Sequence, residues 1–472
     1  MEKLFKLQEN GTTVKTELLA GLTTFMTMAY IIALNPNLLT NFAVGTPLWN
    51  GVFLATCIAS AIGTACMAFL ANKPFAMAPG MGLNSFFAVV VANIVTLTGM
   101  SYLQSFQTAL CVILIEGIVF IILSVLKVRE KIVEAIPLGI RLGIAPAIGL
   151  MLLNIGIGSN AGVYSSDGGP FYVMRDFFGA LTPSLAKANM GDGYPQMVLT
   201  VVTMFVGLFL IVLFAHKKIK GSVLLGMLCA SGIYWAGEAI FLHTNPFASL
   251  KGASFVPAFG DMAETTLFKF DFAALGEIGW FTVVTLVITF CIIDMFDTIG
   301  TLVGTASRAG MVDEEGNMPN MKEALLSDAI GTVAGACLGT STVTTYVESA
   351  SGVAQGGRSG LTAFSVAACF VLALFFAPVF TAIPGSAVCP ALVFVGLFML
   401  SPIKDIPLDD FSESIPAFLT MILMPMTYSI SNGILLGLVA YVILNLCTGK
   451  VKKIGWFMAV LSILVILKFI FL

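Results

Sequence analysis

Five carboxylates stand inside long apolar runs: Glu116, Asp294, Asp297, Asp328 and Glu348, with Glu17 and Glu238 near the ends of such runs. A charged group at mid-bilayer costs about 2.5–3.5 kcal/mol, so these acids are expected to face the protein interior and to have partners there. Asp294 and Asp297, in "CIIDMFDTIGTLVG" (291–304), are three apart and share a helix face. No Lys or Arg falls inside the same segments to neutralise them. Desolvation favours the neutral form of such a carboxylate, so a proton is the expected coupling ion. A carboxylate also accepts N–H bonds. Glu348 and Asp294 can therefore hold a planar molecule with adjacent N–H donors, and an amide-bearing one would use Asn84 and free backbone groups as well. Asp297 either couples a proton, next to Thr298, or braces the break before Gly300. Asp328 and Glu116 also read as hydrogen-bonders that pack helices. Phe25, Phe75, Phe86 and Phe296 can stack on a flat ring, but with 38 phenylalanines in the chain packing is the commoner use of any one.

These acids need a scaffold, and composition says what surrounds it. Of 472 residues, 58% are hydrophobic and 10% charged, where a soluble domain carries about 25% charged residues. Mean hydropathy is +0.98. Lipid is the expected solvent for most of the chain. The opening residues, "MEKLFKLQENGTTVKTE", are polar, so no cleaved signal peptide is expected. Nine scattered cysteines without a CxxC, and two histidines, His216 and His243, predict neither a disulfide framework nor a metal site. No cofactor is expected beyond the coupling proton.

A spanning helix needs about 20 apolar residues. Candidate segments lie near 18–38, 50–71, 81–98, 104–126, 137–158, 197–216, 221–242, 279–302, 324–339, 346–354, 360–382, 386–401, 413–429 and 430–448, with a further apolar run at 454–472. With the N-terminus inside and strict alternation, 18 Lys and Arg fall on the inner side and 4 on the outer. That bias supports an even count of segments and a cytoplasmic N-terminus. Two longer loops, 159–195 and 243–278, then face outside.

The chain also repeats itself. "ASAIGTACMAFL" (59–70) resembles "LSDAIGTVAGACL" (326–338), and "KGSVLLGMLCASGIYW" (220–235) resembles "SNGILLGLVAYVILNL" (431–446). Each pair is seven segments apart, an odd number, so the halves are inverted in the membrane, as in many secondary transporters. Each half also has one interrupted segment. "KPFAMAPGMGLNSFFA" (73–88) is broken by Pro74, Pro79, Gly80 and Gly82, and "GTSTVTTYVESASGVAQGGRSG" (339–360) holds a β-branched stretch. Unwound backbone at membrane depth is tolerated only where protein or a water-filled cavity satisfies it. Segments 3 and 10 are thus predicted to give a short strand and a half-helix each, facing one another near the midplane.

"APGMGLNSFFA", "FDTIGTLVG", "LGTSTVTTYVESASGV" and "PAFLTMILMPMTYSISNGI" together resemble the azaguanine-like purine permeases of the nucleobase–ascorbate transporter superfamily, and the likeness runs from Thr16 to about Lys453. The resemblance implies an all-α polytopic membrane protein of fourteen segments in two inverted repeats of seven. Core parts are expected at 1–126 and 243–382, gate parts at 127–242 and 383–453, and a separate apolar tail at 454–472. It implies proton symport of hypoxanthine, guanine or adenine across an inner or plasma membrane, commonly by a dimer, with no enzymatic activity and no nucleic-acid partner. By motif, Asp294 and Glu348 look like the substrate-binding acids. Asn84 looks like the polar residue that shapes the site, Met77–Ala78 and Tyr346–Val347 flank the ring, and Asp297 looks like the proton-coupling or structural neighbour. Other expectations to weigh are an anion transporter or exchanger on the same inverted plan, which would lack acids at the site, and an ion channel.

Overall fold

The computed structural model describes residues 2–125, 137–157, 164–165, 173–174, 194–219, 221–247, 254–308, 311, 318–427, 430–455, 458–459, 462–463 and 466. The tail 454–472, apart from a few residues, most of the loop 159–195 and the Phe296 side chain lie outside that set.

The helices are α1 (Val14–Met28), α2 (Ile31–Leu39), α3 (Pro47–Cys66), α4 (Met81–Thr98), α5 (Tyr102–Val125), α6 (Leu138–Ile157), α7 (Tyr194–His216), α8 (Ser222–Phe241), α9 (Phe259–Thr265), α10 (Trp280–Arg308), α11 (Met321–Leu338), α12 (Ser349–Ala354), α13 (Gly360–Ala373), α14 (Gly385–Met399), α15 (Phe411–Thr427) and α16 (Ile430–Cys447). Among the described residues, four short strands accompany them: β1 (Met77–Pro79), β2 (Tyr164–Ser165), β3 (Val173–Met174) and β4 (Val343–Thr345). Every expected segment has a helical counterpart. Among the described residues, eight helical stretches are long and apolar enough to cross a membrane, and three shorter apolar helices join them. Large apolar side chains such as Ile122, Phe209 and Leu372 point outward, as lipid contact requires.

Local chemistry explains the interruptions. Thr13 and Thr46 cap α1 and α3, accepting from Thr16 N and Trp49 N, both at 3.3 Å. Segment 1 breaks at Ala29–Tyr30 into α1 and α2. Segment 11, expected as one helix over 360–382, is α13, a 3-10 turn at Leu374–Phe376 and a last turn at Ala377–Thr381. Pro378, which has no N–H for the carbonyl four residues back, stands at the start of that last turn, a position where a proline costs no helical bond.

By contact the chain forms two compact units, Met1–Lys127 with Phe209–Val388, and Val128–Leu208 with Cys389–Leu472. Helix α8 belongs to the first, where Gly221 lies against Met26 O and Trp235 Nε1 donates to Ala382 O at 3.0 Å. Within the second, Gly139 N donates to Glu413 Oε2 at 2.8 Å and Asn154 Nδ2 to Pro425 O at 3.3 Å, which ties α6 to α15.

The first unit is built around a crossing of the two repeats. Helices α3 and α11 carry the shared Ala-Ile-Gly-Thr and meet at its glycines: a Cβ placed on Gly331 would stand 3.4 Å from Gly63 Cα and 3.1 Å from Val343 Cγ1. The following threonines then hold the strands. Thr64 Oγ1 donates to Met77 O and accepts from Met77 N, both at 2.9 Å. Thr332 Oγ1 donates to Val343 O at 3.2 Å. Substituting Gly331 by alanine needs a shift of a few tenths of an ångström. Gly331→Leu overfills the crossing and is expected to cost roughly 1–3 kcal/mol or more, read as a lower Tm of the detergent-solubilised protein. A Tm equal to wild type for Gly331→Leu would contradict the crossing.

Candidate functional site

Strands β1 and β4 pair antiparallel, with Met77 opposite Thr345, Ala78 opposite Thr344 and Pro79 opposite Val343. Two main-chain bonds extend the pair: Gly80 N to Thr342 O at 3.1 Å and Tyr346 N to Ala76 O at 2.9 Å. An offset of 266 residues carries one bond onto the other, so the inverted repeat is visible at the level of single hydrogen bonds. Pro79, which has no N–H, ends its strand and loses no ladder donor. Helix α4 begins directly after β1 and α12 soon after β4, and neither start is capped by a side chain at its N-cap position. The expected strand and helix of each broken segment are therefore present. The half-helix expectation fits α12, whereas α4 runs for 18 residues.

Around this strand pair the acids separate into two groups. Asp294 and Asp328 are fully buried and share one hydroxyl. Thr298 Oγ1 lies 3.2 Å from Asp294 Oδ1, 2.8 Å from Asp328 Oδ1 and 2.6 Å from Thr344 Oγ1 on β4. Glu116, on α5, accepts from Thr342 Oγ1 at 2.7 Å just before β4. Glu348 and Asp297 are only half-buried. Glu348 stands at the N-cap position of α12 with its carboxylate turned to Tyr30, whose hydroxyl donates to Oε1 at 2.7 Å. Asp297 lies over the strand end, its Oδ2 3.4 Å from where a Cβ on Gly80 would be. Among the described residues, neither Glu348 nor Asp297 has an ion-pair partner.

The remaining predicted residues are placed as follows. Asn84 is fully buried; its Nδ2 donates to Pro79 O at 3.1 Å and its Oδ1 accepts from Ser341 Oγ. It joins the two broken segments. Tyr346 is buried with its hydroxyl on the same Pro79 O at 2.5 Å. Met77 and Ala78 are buried in β1, and the main chain of Met77 is occupied by Thr64. Val347, 55% exposed, faces open space beside Glu348. Of the phenylalanines, Phe25 packs edge-on against Phe370 at 5.3 Å, Phe86 lies 4.4 Å from Phe290, and Phe75 is enclosed in the core at the crossing.

Two further residues hold the local structure: one drew no attention in the sequence, and the other was read only as an acid near the end of an apolar run. Tyr30 is the first. The other is Glu17, a buried carboxylate that accepts from Arg358 N, Ser359 N and Oγ, and Thr362 N and Oγ1 at 2.7–3.2 Å, fastening α1 to the start of α13.

Chemically, the arrangement offers two partly open carboxylate acceptors beside a braced strand pair, backed by two buried acids that feel the same strand through Thr298. Comparisons with known proteins agree with this construction. The sequence profile of the Permease family matches residues 15–436. The chain is 35% identical to the adenine permease AdeQ of Escherichia coli over 100% of this chain and 96% of that one. It is 36% identical to the guanine/hypoxanthine permease PbuG of Bacillus subtilis over the whole of both. The transmembrane domain of a cyanobacterial bicarbonate transporter, BicA, superposes with a TM-score of 0.59 at 18% identity, covering 90% of this chain and 97% of that one, which shows the shared inverted-repeat fold. With its inverted repeats, its broken segments and its full-length match, the chain is a multi-pass membrane permease of the nucleobase–ascorbate transporter family.

Proposed function

We propose that this permease imports a neutral purine base together with a proton. The observation that carries the reading is Glu348: a half-buried carboxylate at the mouth of the broken segment 10, oriented by Tyr30 and without a cation partner among the described residues. A purine presents adjacent ring N–H donors and acceptors in one plane, and a carboxylate complements its N–H donors. An anion would meet the carboxylates of Glu348 and Asp297 at the same place, which disfavours it. The relatives named as adenine and guanine/hypoxanthine permeases support a purine and leave the choice of base to the pocket edge.

In this reading Glu348 accepts a substrate N–H, Asp297 lies at the open side next to Gly80, and Asp294 stands behind β4. A proton arriving at Asp294 changes its hydrogen bond with Thr298, and Thr298 passes that change to Thr344 on β4, while Asp297 takes up a proton at the open side. The core elements then move against the gate elements, with α8 moving with the core on which it packs, in an inner or plasma membrane with the N-terminus cytoplasmic. A homodimer is compatible with this motion. The test is uptake of radiolabelled hypoxanthine and adenine into cells expressing the protein, with unlabelled guanine, adenine, xanthine and uracil as competitors at two pH values. Saturable uptake, competed by purines and not by uracil, and faster at the lower external pH, is expected. Unsaturable flux, or uptake indifferent to every purine, would sink the proposal.

A further inference from the structure

Helices α1 and α12 run past each other antiparallel, in a register defined by three pairs. Thr24 faces Gly352, Thr27 Oγ1 is hydrogen-bonded to Ser351 Oγ at 3.0 Å, and Tyr30 reaches Glu348. The approach is close because Gly352 has no side chain: a Cβ there would collide with Thr24 Oγ1 and stand 2.7 Å from Ala20 O. Tyr30 comes just past the end of α1, at the break before α2, and is 1% exposed. A buried phenol needs a hydrogen-bond partner, and this one has the Glu348 carboxylate. Among the described residues, the other hydroxyls nearby make bonds that do not involve this carboxylate. Tyr346 Oη is on Pro79 O, Ser349 Oγ accepts from Ala76 N, and Ser351 Oγ lies on the Glu348 main-chain carbonyl. Among the described residues, Tyr30 is thus the one side-chain donor to the Glu348 carboxylate, and it takes a single oxygen of the two.

We propose that Tyr30 is a positioning residue for ligand binding: by holding Oε1 of Glu348, it turns Oε2 toward the N–H edge of the bound heterocycle. The inference rests on the proposed role of Glu348. It assigns to the break in segment 1 a part in setting affinity, because the hydroxyl is delivered from the end of one half-helix to the carboxylate at the start of another. A carboxylate fixed before binding loses no rotamer freedom when ligand arrives, and that lowers the half-saturation concentration without changing the later conformational step.

Tyr30→Phe keeps the ring and removes the donor. With radiolabelled purine uptake normalised to transporter in the membrane, KM is expected to rise roughly tenfold, with the maximal rate kept within about twofold. Thr27→Val, which cuts the neighbouring bond between α1 and α12 and leaves Glu348 alone, is expected to keep the wild-type KM. An unchanged KM in Tyr30→Phe, a fall in maximal rate alone, or an equal rise in KM in Thr27→Val would each overturn the positioning role. Should Tyr30→Phe not accumulate, Tyr30→His is compared with Tyr30→Leu: a lower KM for His, which can donate, is expected, and equal values overturn the inference. Glu348→Gln separates the two levels. Full uptake by that variant removes the site itself, whereas a dead Glu348→Gln beside a Tyr30→Phe of normal KM removes only the role of Tyr30.

Discussion

Glu348→Gln is expected to lower purine uptake at least about 100-fold while the protein reaches the membrane in normal amount. The substitution conserves shape, and Tyr30 can still donate to the amide oxygen at the position now 2.7 Å away. What changes is the other arm. An oxygen that accepts becomes an N–H2 that donates, and it then confronts a donor on the ligand edge. Two donors facing each other leave both unsatisfied, which costs more than a bond that never existed. Because Glu348 is half-buried and not part of the strand pair, its neutralisation leaves the fold intact. Quantitative immunoblots of membranes, alongside initial uptake rates, check both halves of this expectation. Near-normal uptake at normal abundance would show that the ligand does not use this carboxylate.

Glu17→Ala is expected to have the largest effect on stability, with transport lost only as a consequence. Five donors converge on this buried carboxylate: three main-chain N–H groups at the start of α13 and the hydroxyls of Ser359 and Thr362. The first turn of a helix has N–H groups with no partner of their own and a positive end of the dipole, so a carboxylate is the matching group. Alanine leaves several of these donors in a water-excluded place. Each buried donor left without an acceptor costs about 1–3 kcal/mol. Glu17→Gln retains one acceptor oxygen and is expected to fall between alanine and wild type. Thermal unfolding of the purified protein in detergent ranks the three. A Tm for Glu17→Ala within error of wild type would mean that water replaces the carboxylate at no cost.

The spans and the repeat were legible because they depend on composition and period. Twenty apolar residues announce a crossing wherever they occur, and a shared Ala-Ile-Gly-Thr at matching places announces a duplication. The strands in the broken segments followed from Pro79, Gly80 and the β-branched run around Thr344, whose local preferences exclude a helix. Partnerships were not legible. Glu17 and Thr362 are 345 residues apart, Tyr30 and Glu348 are 318 apart, and no local rule relates them. Asn84 illustrates the limit from the other side. A polar residue at the start of an apolar helix reads the same whether it meets a ligand or, as here, the main-chain oxygen of Pro79 and the hydroxyl of Ser341. The acids divide likewise. Spacing put Asp294 and Asp297 on one face, but only the position of Thr298 between Asp294, Asp328 and β4 distinguishes the enclosed acid from the more open one.

The pairing of β1 with β4 also orders events during synthesis. Pro79 and Val343 face each other across the sheet but leave the ribosome 264 residues apart. At about 5–20 residues per second, the first strand waits roughly 13–53 s for the second. Through that interval the main-chain groups of Gly80 and Ala76 have no strand to meet, and lipid cannot solvate them. The first half of the polypeptide must therefore stay beside the insertion machinery, or keep β1 at a wetted surface, until the second half arrives. A nascent chain stopped short of Val343 should remain crosslinkable to the translocon and open to protease, and one extended past Thr345 should become resistant to both.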